Sequence, residues 1–132
     1  MAASLGLDAT GVDVSPIAIR MAEEKAASRG VAPVRFVAGD VLLPAARTAL
    51  AGPYDTIIDC AVFHSVSDED RPAYVDGLRS LLSAGGRFVM VVFSDEEPAD
   101  WGPRRISQAE IRTALGDGWR IESIEPVMMD LV

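Results

Sequence analysis

Residues 10–26, Thr-Gly-Val-Asp-Val-Ser-Pro-Ile-Ala-Ile-Arg-Met-Ala-Glu-Glu-Lys-Ala, constrain the fold more than any other stretch of the chain. They read as a short buried strand, an acid at the strand's end, and then a helix. Gly11 to Val14 is compact and apolar apart from Asp13. Ser15 is a suitable N-cap, because its hydroxyl can accept from a first-turn N–H. Pro16 falls where a missing N–H costs nothing, since that amide has no partner within the helix. Ile17, Met21 and the alanines give one apolar face, and Gly30 supplies a left-handed stop. A carboxylate at the carboxyl end of a parallel strand, beside a turn into a helix, is where α/β folds hold the ribose of a nucleotide-like cofactor. Asp13 therefore marks an expected cofactor site.

The rest of the chain repeats this alternation. Ala2 to Leu7 reads as the last turn of a helix. Val34 to Val37 is a short strand closed by Gly39-Asp40, and Pro44 to Ala51 holds a helical turn. After Gly52-Pro53, the run Tyr54 to Val62 is apolar enough for a central parallel strand covered on both faces. Ser67 to Pro72 packs acids and a proline into a helix start, where the positive dipole end favours negative charge. Tyr74, Val75, Leu78, Leu81 and Leu82 recur at helical spacing, with Gly85-Gly86 expected to end that helix. Arg87 to Phe93 is the most strand-like run, Pro98 to Pro103 a loop carrying Trp101. Ser107 to Glu110 is a capping-box pattern opening a helix through Leu115. Trp119 to Pro126 is expected to be a final strand. Strands alternating with helices predict a Rossmann-like three-layer α/β/α fold with a mostly parallel sheet.

Composition bounds what such a chain does. Its 132 residues make one domain, 1–132, and a hydrophobic content of 49% with 24% charged residues is that of a soluble globular protein. A net charge of −8 argues against nucleic acid or an anionic membrane surface as the main partner, since both reward a basic face. Cys60 is alone, which excludes a disulfide framework and points to a reducing compartment. The opening residues lack the charged and apolar regions of a signal peptide, and no apolar run approaches the roughly 20 residues of a membrane span. The expected location is cytoplasmic.

The strand-end acid, the Gly39-Asp40 pair, the apolar strand 54–62 and the Leu81-Leu-Ser-Ala-Gly-Gly-Arg-Phe88 run occur in order. On these motifs, from about Leu7 to about Val127, the chain resembles a class I S-adenosylmethionine-dependent methyltransferase. It is most similar to the small-molecule enzymes whose fourth strand runs into a Phe-His segment, here Cys60 to Val66. The resemblance implies that Asp13 takes both ribose hydroxyls and that Val14 lies against the adenine. It implies that Asp40 accepts from the adenine amino group and that the Val41 N–H meets a ring nitrogen. It implies that the carbonyls of Cys60 and Ala61 face the methionyl end of S-adenosylmethionine, and that Phe63 and His64 stand where a small-molecule acceptor meets the methyl group. A carboxylate suits a diol because it accepts two charge-assisted hydrogen bonds at once. Methyl transfer from a sulfonium needs mainly in-line placement, so positioning outweighs nucleophilic catalysis, and a base is needed only where the acceptor must lose a proton.

In that family a first strand and a glycine-rich loop precede the residue matching Asp13 by roughly 20 residues, as in dinucleotide-binding folds. The sequence begins too late to carry them, and a last edge strand is expected to be missing after Pro126. The strands ending at Asp13 and Cys60 are then expected to leave unpaired edges, which invite a homodimer.

Each site residue has a plainer reading. Asp13 could cap the following turn, and Asp40 could be a turn residue. Asp59, inside the apolar strand, must find a partner, either structural or facing the pocket. His64, the sole histidine, is a candidate acceptor-positioning residue or base; lone histidines are more often simply packed. Cys60 is expected to fill the core. Trp101 either lids the acceptor or covers the sheet edge. Arg104 and Arg105 are expected to be solvated or paired with acids. No cluster has metal-ligand spacing. Two further functional readings remain beside methyl transfer: a nicotinamide oxidoreductase, weakened by the lack of a Tyr-x-x-x-Lys set, and a non-catalytic module that pairs through exposed strand edges.

Overall fold

The structure, a computed structural model, describes residues 2–31, 34–98 and 101–128. A 3-10 turn over Ala3–Leu5 ends at Gly6, whose φ of 80° no residue with a Cβ adopts cheaply. β1 (Ala9–Asp13) turns through Ser15 into α1 (Pro16–Ser28), and the Ser15 hydroxyl accepts from the Ala18 N–H at 3.3 Å. β2 (Val34–Ala38), α2 (Pro44–Leu50) and β3 (Tyr54–Cys60) follow. A second 3-10 turn, Phe63–Ser65, leads to α3 (Arg71–Leu81), β4 (Leu82–Val91) and α4 (Gln108–Ala114). At α4 both halves of the capping box form: the Ser107 hydroxyl accepts from the Glu110 N–H, and the Glu110 carboxylate accepts from the Ser107 N–H.

Both ladders between strands are parallel, as the alternation of strands and helices requires. They form two separate pairs, β1 with β2 and β3 with β4. In the first pair Asp13 faces Ala38, so the strand-end acid lies beside the start of the Gly39-Asp40 turn, and the Gly39 N–H donates to the Asp13 carbonyl at 2.9 Å. Among the described residues no ladder joins β1 to β3, in keeping with the unpaired edges expected from the sequence.

The core lies on one side of the second pair. Phe63, Val66, Tyr74, Val75, Leu78, Ile106, Ile111 and Leu115 form its buried centre, drawn from the second 3-10 turn and from α3, α4 and their approaches. Ile57, Phe88 and Met90 of the β3–β4 pair pack against it, as do Val41 and Leu42 from the turn after β2. That last contact ties the two pairs together. α1 has no buried residue, and its expected apolar face is open: Ile17 is 60% and Met21 62% exposed.

Three sequence expectations are corrected. α3 ends at Leu81 rather than at Gly85-Gly86, because Leu82 already enters the ladder opposite Tyr54. The next matched pair is Thr56 with Arg87, so the glycines sit in a bulge: Gly85 takes a φ of 78°, and a Cβ on Gly86 would lie 2.9 Å from the Ser83 carbonyl oxygen. No strand forms over residues 119–128. The alternating pattern there is met by packing, with Trp119, Ile121 and Ile124 against the core and no ladder hydrogen bond among the described residues. Cys60 is exposed rather than in the core. The loop expected over 98–103 is described only at 98 and 101–103, and residues 129–132 lie outside the described chain.

Gly39 joins β2 to α2 at close quarters, since a Cβ on it would lie 2.9 Å from the Cβ of buried Ala46. Gly39→Ala should therefore push α2 off the strand end and cost about 1–3 kcal/mol, as overpacking does. A chemical-denaturation midpoint equal to that of the parent chain would show that this contact does not constrain the fold.

Candidate cofactor and acceptor site

The carboxyl ends of β1 and β2 carry the two acids singled out in the sequence, and each begins a turn in the same way. Asp13 Oδ1 accepts from the Ser15 N–H at 2.8 Å, and Asp40 Oδ1 accepts from the Leu42 N–H at 2.9 Å. These are Asx-type turns, which the sequence held as the plainer reading. They leave one oxygen on each carboxylate without a protein donor among the described residues. Asp13 is exposed and Asp40 half-buried, so both are reachable. Val14 stands beside Asp13 with its apolar side chain 71% exposed. Val41 packs its side chain on the core, and no acceptor among the described residues takes its N–H. The parallel register thus brings Asp13, Val14, Asp40 and Val41 to one end of one strand pair.

The carboxyl end of β3 holds the remaining candidates. Side chains alternate along a strand. Asp59 accordingly points into the core at 3% exposure, while Cys60 points out. Asp59 Oδ1 accepts from the Val62 N–H at 2.6 Å; Oδ2 accepts from the Phe63 N–H at 3.0 Å and the Tyr74 hydroxyl at 2.8 Å. Asp59 is thus structural in its contacts. Burial, and then the neighbouring Asp59 carboxylate, push the Tyr74 phenol far above its ordinary pKa, so it remains a donor. Ala61 has a φ of 71°, and its N–H donates to the Val91 carbonyl at 3.0 Å. His64 is buried and meets the Phe93 ring edge-on, with centroids 5.6 Å apart. Its Nδ1 is buried with no hydrogen-bond partner among the described residues.

A clasp of opposite charges closes the far side. Arg71 pairs with Asp68 at 3.0 Å and Glu110 at 3.2 Å; Arg104 pairs with the same two acids at 2.8 Å and 2.6 Å. Arg71 is buried, its guanidinium 4.8 Å above the Phe63 ring, so the clasp joins the start of α3 to the start of α4 across the residue preceding His64. Hydrogen bonds from the Ser107 N–H and hydroxyl, then Arg71 and Arg104, hold the Glu110 carboxyl down at about 2. Arg104 is paired with acids, as expected. Arg105 lies 5.5 Å above the Phe93 ring and donates to the carbonyls of Trp101 and Pro103, while the Trp101 side chain is 70% exposed.

The structure therefore gathers Asp13, Val14, Asp40 and Val41 at one strand pair, and Cys60, Ala61, Phe63 and His64 at the other. No hydrogen bond among the described residues joins the two groups. A shallow hollow of about 210 Å³ borders Gly39 and Asp40, and a larger one of about 400 Å³ lies at the amino end of β3, away from every candidate. Sequence reading missed Tyr74 as the partner of Asp59, Phe93 as the ring behind His64, and Arg71 as the centre of the clasp. The acidic run at 68–70 facing the capping-box Glu110 was the one available signal for the last. Among the described residues no group of three His, Cys, Asp or Glu is placed to hold a metal ion, and no helix is long and apolar enough to cross a membrane.

Comparison with known proteins gives these positions a setting. The family model of thiopurine S-methyltransferase (TPMT) matches residues 1–131. The 2-heptyl-1-hydroxyquinolin-4(1H)-one methyltransferase of Mycobacteroides abscessus is 32% identical over 129 residues, which are 96% of this chain and 56% of that enzyme. A solved structure from work on the conversion of a disulfide bond into a thioacetal group during echinomycin biosynthesis superposes with a TM-score of 0.78 at 29% identity, over 93% of this chain and 57% of the other. TehB from Haemophilus influenzae shares the fold, with a TM-score of 0.65 at 18% identity over 85% of this chain and 38% of the other. The chain thus spans somewhat over half the length of the first two proteins.

The depressed Glu110 pKa sets a pH dependence. A carboxyl whose folded pKa lies below its unfolded one adds stability at pH above the unfolded value and loses it as pH falls toward the folded value. The Glu110 contribution should therefore be present at pH 6 and fade between roughly pH 4 and pH 2. Glu110→Gln keeps a capping-box side chain and removes the charge. Its Tm should fall below the parent's at pH 6 and converge on it near pH 2; a constant difference across that range would show that the charge is not what holds the clasp.

Proposed function

The chain belongs to the thiopurine S-methyltransferase family, among the class I S-adenosylmethionine-dependent methyltransferases, and from that premise we propose that its protein methylates an O, N or S atom of a small, aromatic metabolite. The observation that carries this reading is the pairing of Asp13 with Asp40, neighbouring strand-end carboxylates that each keep one oxygen without a protein partner among the described residues. A nucleoside needs that arrangement, with one carboxylate for its ribose diol and another for an exocyclic amine.

S-adenosylmethionine, when bound, supplies a methyl group on a positively charged sulfur. The chain's residues would do the rest. Asp13 would hold the ribose hydroxyls, Val14 lie against the base, Asp40 accept from its amino group, and the Val41 N–H meet a ring nitrogen. The carbonyls of Cys60 and Ala61 would face the methionyl end. His64, backed by Phe93, would orient the acceptor and take its proton where one must leave. The fit is good for the nucleoside and thinner for the amino-acid end. The chain's one glycine pair, Gly85-Gly86, lies in the bulge at the start of β4, at the opposite end of the strands from Cys60. The Mycobacteroides relative, named for a hydroxyquinolone, supports a flat aromatic acceptor. A lone exposed thiol, Cys60, suits a reducing, cytoplasmic setting.

A second reading is favoured by one observation. Among the described residues β1 pairs only with β2 and β3 only with β4, so each keeps one edge without a ladder. We infer that these edges are completed by a further strand, from a second copy of the chain in a homodimer or from a longer polypeptide.

Isothermal titration with S-adenosylhomocysteine should show micromolar binding, and Asp13→Ala should weaken it by about 1.5–3 kcal/mol, the loss expected for a charged acceptor. Unchanged affinity in that variant would remove Asp13 from the site, and a folded parent chain that binds nothing would remove the site from this chain. Sedimentation tests the edges separately. The isolated chain should run as a dimer or larger species, or else unfold as a marginally stable monomer, and a sharp monomer with cooperative unfolding would defeat the inference.

A further inference from the structure

We propose that Asp59 is the positioning residue of this site, setting the Cys60–Ala61 backbone and the His64 ring through the turn it holds, an inference that rests on the functional reading above. Asp59 occupies a place that a parallel strand normally gives to an apolar side chain. It is 3% exposed, and among the described residues no Lys, Arg or His pairs with it. A buried carboxylate without a counter-charge survives only if its oxygens are met by donors. Here three donors meet it, and two are the successive backbone amides of Val62 and Phe63. The third, the Tyr74 hydroxyl on α3, shares Oδ2 with the Phe63 amide and so orients the carboxylate toward the turn.

The consequence falls on Ala61. Its φ of 71° is a left-handed conformation that a Cβ disfavours, and it persists only where neighbouring bonds impose it. The Ala61 N–H is tied to the Val91 carbonyl on one side, and Asp59 ties the next two amides on the other. Between these anchors the backbone has one course. It leaves the carbonyls of Cys60 and Ala61 at the strand end, drops Phe63 into the core at 0% exposure, and sets His64 against Phe93. An apolar residue at position 59 would fill the same space and leave both amides without an acceptor. The carboxylate acts on the site through the turn and touches no substrate itself.

His64 is the only histidine in the chain, so its imidazole signals in a proton–nitrogen NMR spectrum report on this turn without overlap. Asp59→Asn keeps the shape but loses an acceptor oxygen, so one of the two amides goes unmet. The His64 ring signals should move by more than a linewidth. Adding Ala61→Gly, which removes the penalty of the left-handed conformation, should bring them back toward the parent positions. Unmoved signals in a folded Asp59→Asn chain would overturn the proposal, since a purely structural acid would lower Tm without touching His64. Where Asp59→Asn alone does not fold, the double variant decides. A folded chain with parent-like His64 signals upholds the positioning role, and shifted signals or a chain that stays unfolded overturn it. The spectra need no cofactor. Absence of S-adenosylhomocysteine binding with the signals behaving as expected would count against the functional reading, and unmoved signals beside intact binding would count against Asp59.

Discussion

Phe63 reaches the centre of the core because the chain turns sharply after Cys60, and that turn depends on a carboxylate inside the protein. An unpaired charge moved from water into an apolar interior costs several kcal/mol. Asp59 offsets that cost with three hydrogen bonds, two of them from backbone amides, that of Phe63 buried and that of Val62 partly so. The rest of the second half leans on the result. Phe63 packs against Tyr74 with ring centroids 6.2 Å apart and lies under the Arg71 guanidinium, which binds the acids that start α3 and α4. Strand end, turn, two helix starts and the ring behind His64 are thus one connected set of contacts.

The first half has no such centre. Parallel sheets are stable when both faces are covered. The β3–β4 pair meets this on the side where α3 and α4 lie, while β1, β2 and α1 bury little, with Val14 and Met21 largely in solvent. Val41 and Leu42 carry apolar contact from the first half to the core. Segments with few buried contacts open at lower free energy than the core. The acids assigned to the nucleoside therefore sit on the loosely held half, and the groups assigned to the acceptor sit on the firm one.

Much of this was legible in the residues. Ser15 and Pro16 marked the start of α1, Ser107 and Glu110 the capping box of α4, and Asp13 with Gly39-Asp40 the neighbouring strand ends. These signals are local: each rests on a side chain meeting its own backbone within a few residues. What was not legible depended on contacts distant in sequence. Whether Asp59 or Cys60 faced the core turned on which side of the strand α3 covers, and a one-residue alternation reversed the expectation for Cys60. Residues 119–126 alternate like a strand, yet their apolar side chains find the core without a ladder. Gly85-Gly86 looked like a helix stop because glycine is common there; its actual use, in a bulge opposite Tyr54 and Thr56, depends on a strand almost thirty residues earlier.

Hydrogen-bond accounting separates the three strand-end acids. Asp13 and Asp40 each spend one oxygen on a turn amide and keep the other without a partner among the described residues, at positions solvent or a ligand can reach. Asp59 commits both oxygens and lies beyond reach of either. The same residue type at three corresponding places thus does two kinds of work, and the distinction lies in the lone pairs that the fold leaves over. A carboxylate with a spare oxygen at a strand end can still gain from a diol or an amine. A saturated one can only hold the backbone that carries its neighbours to the site.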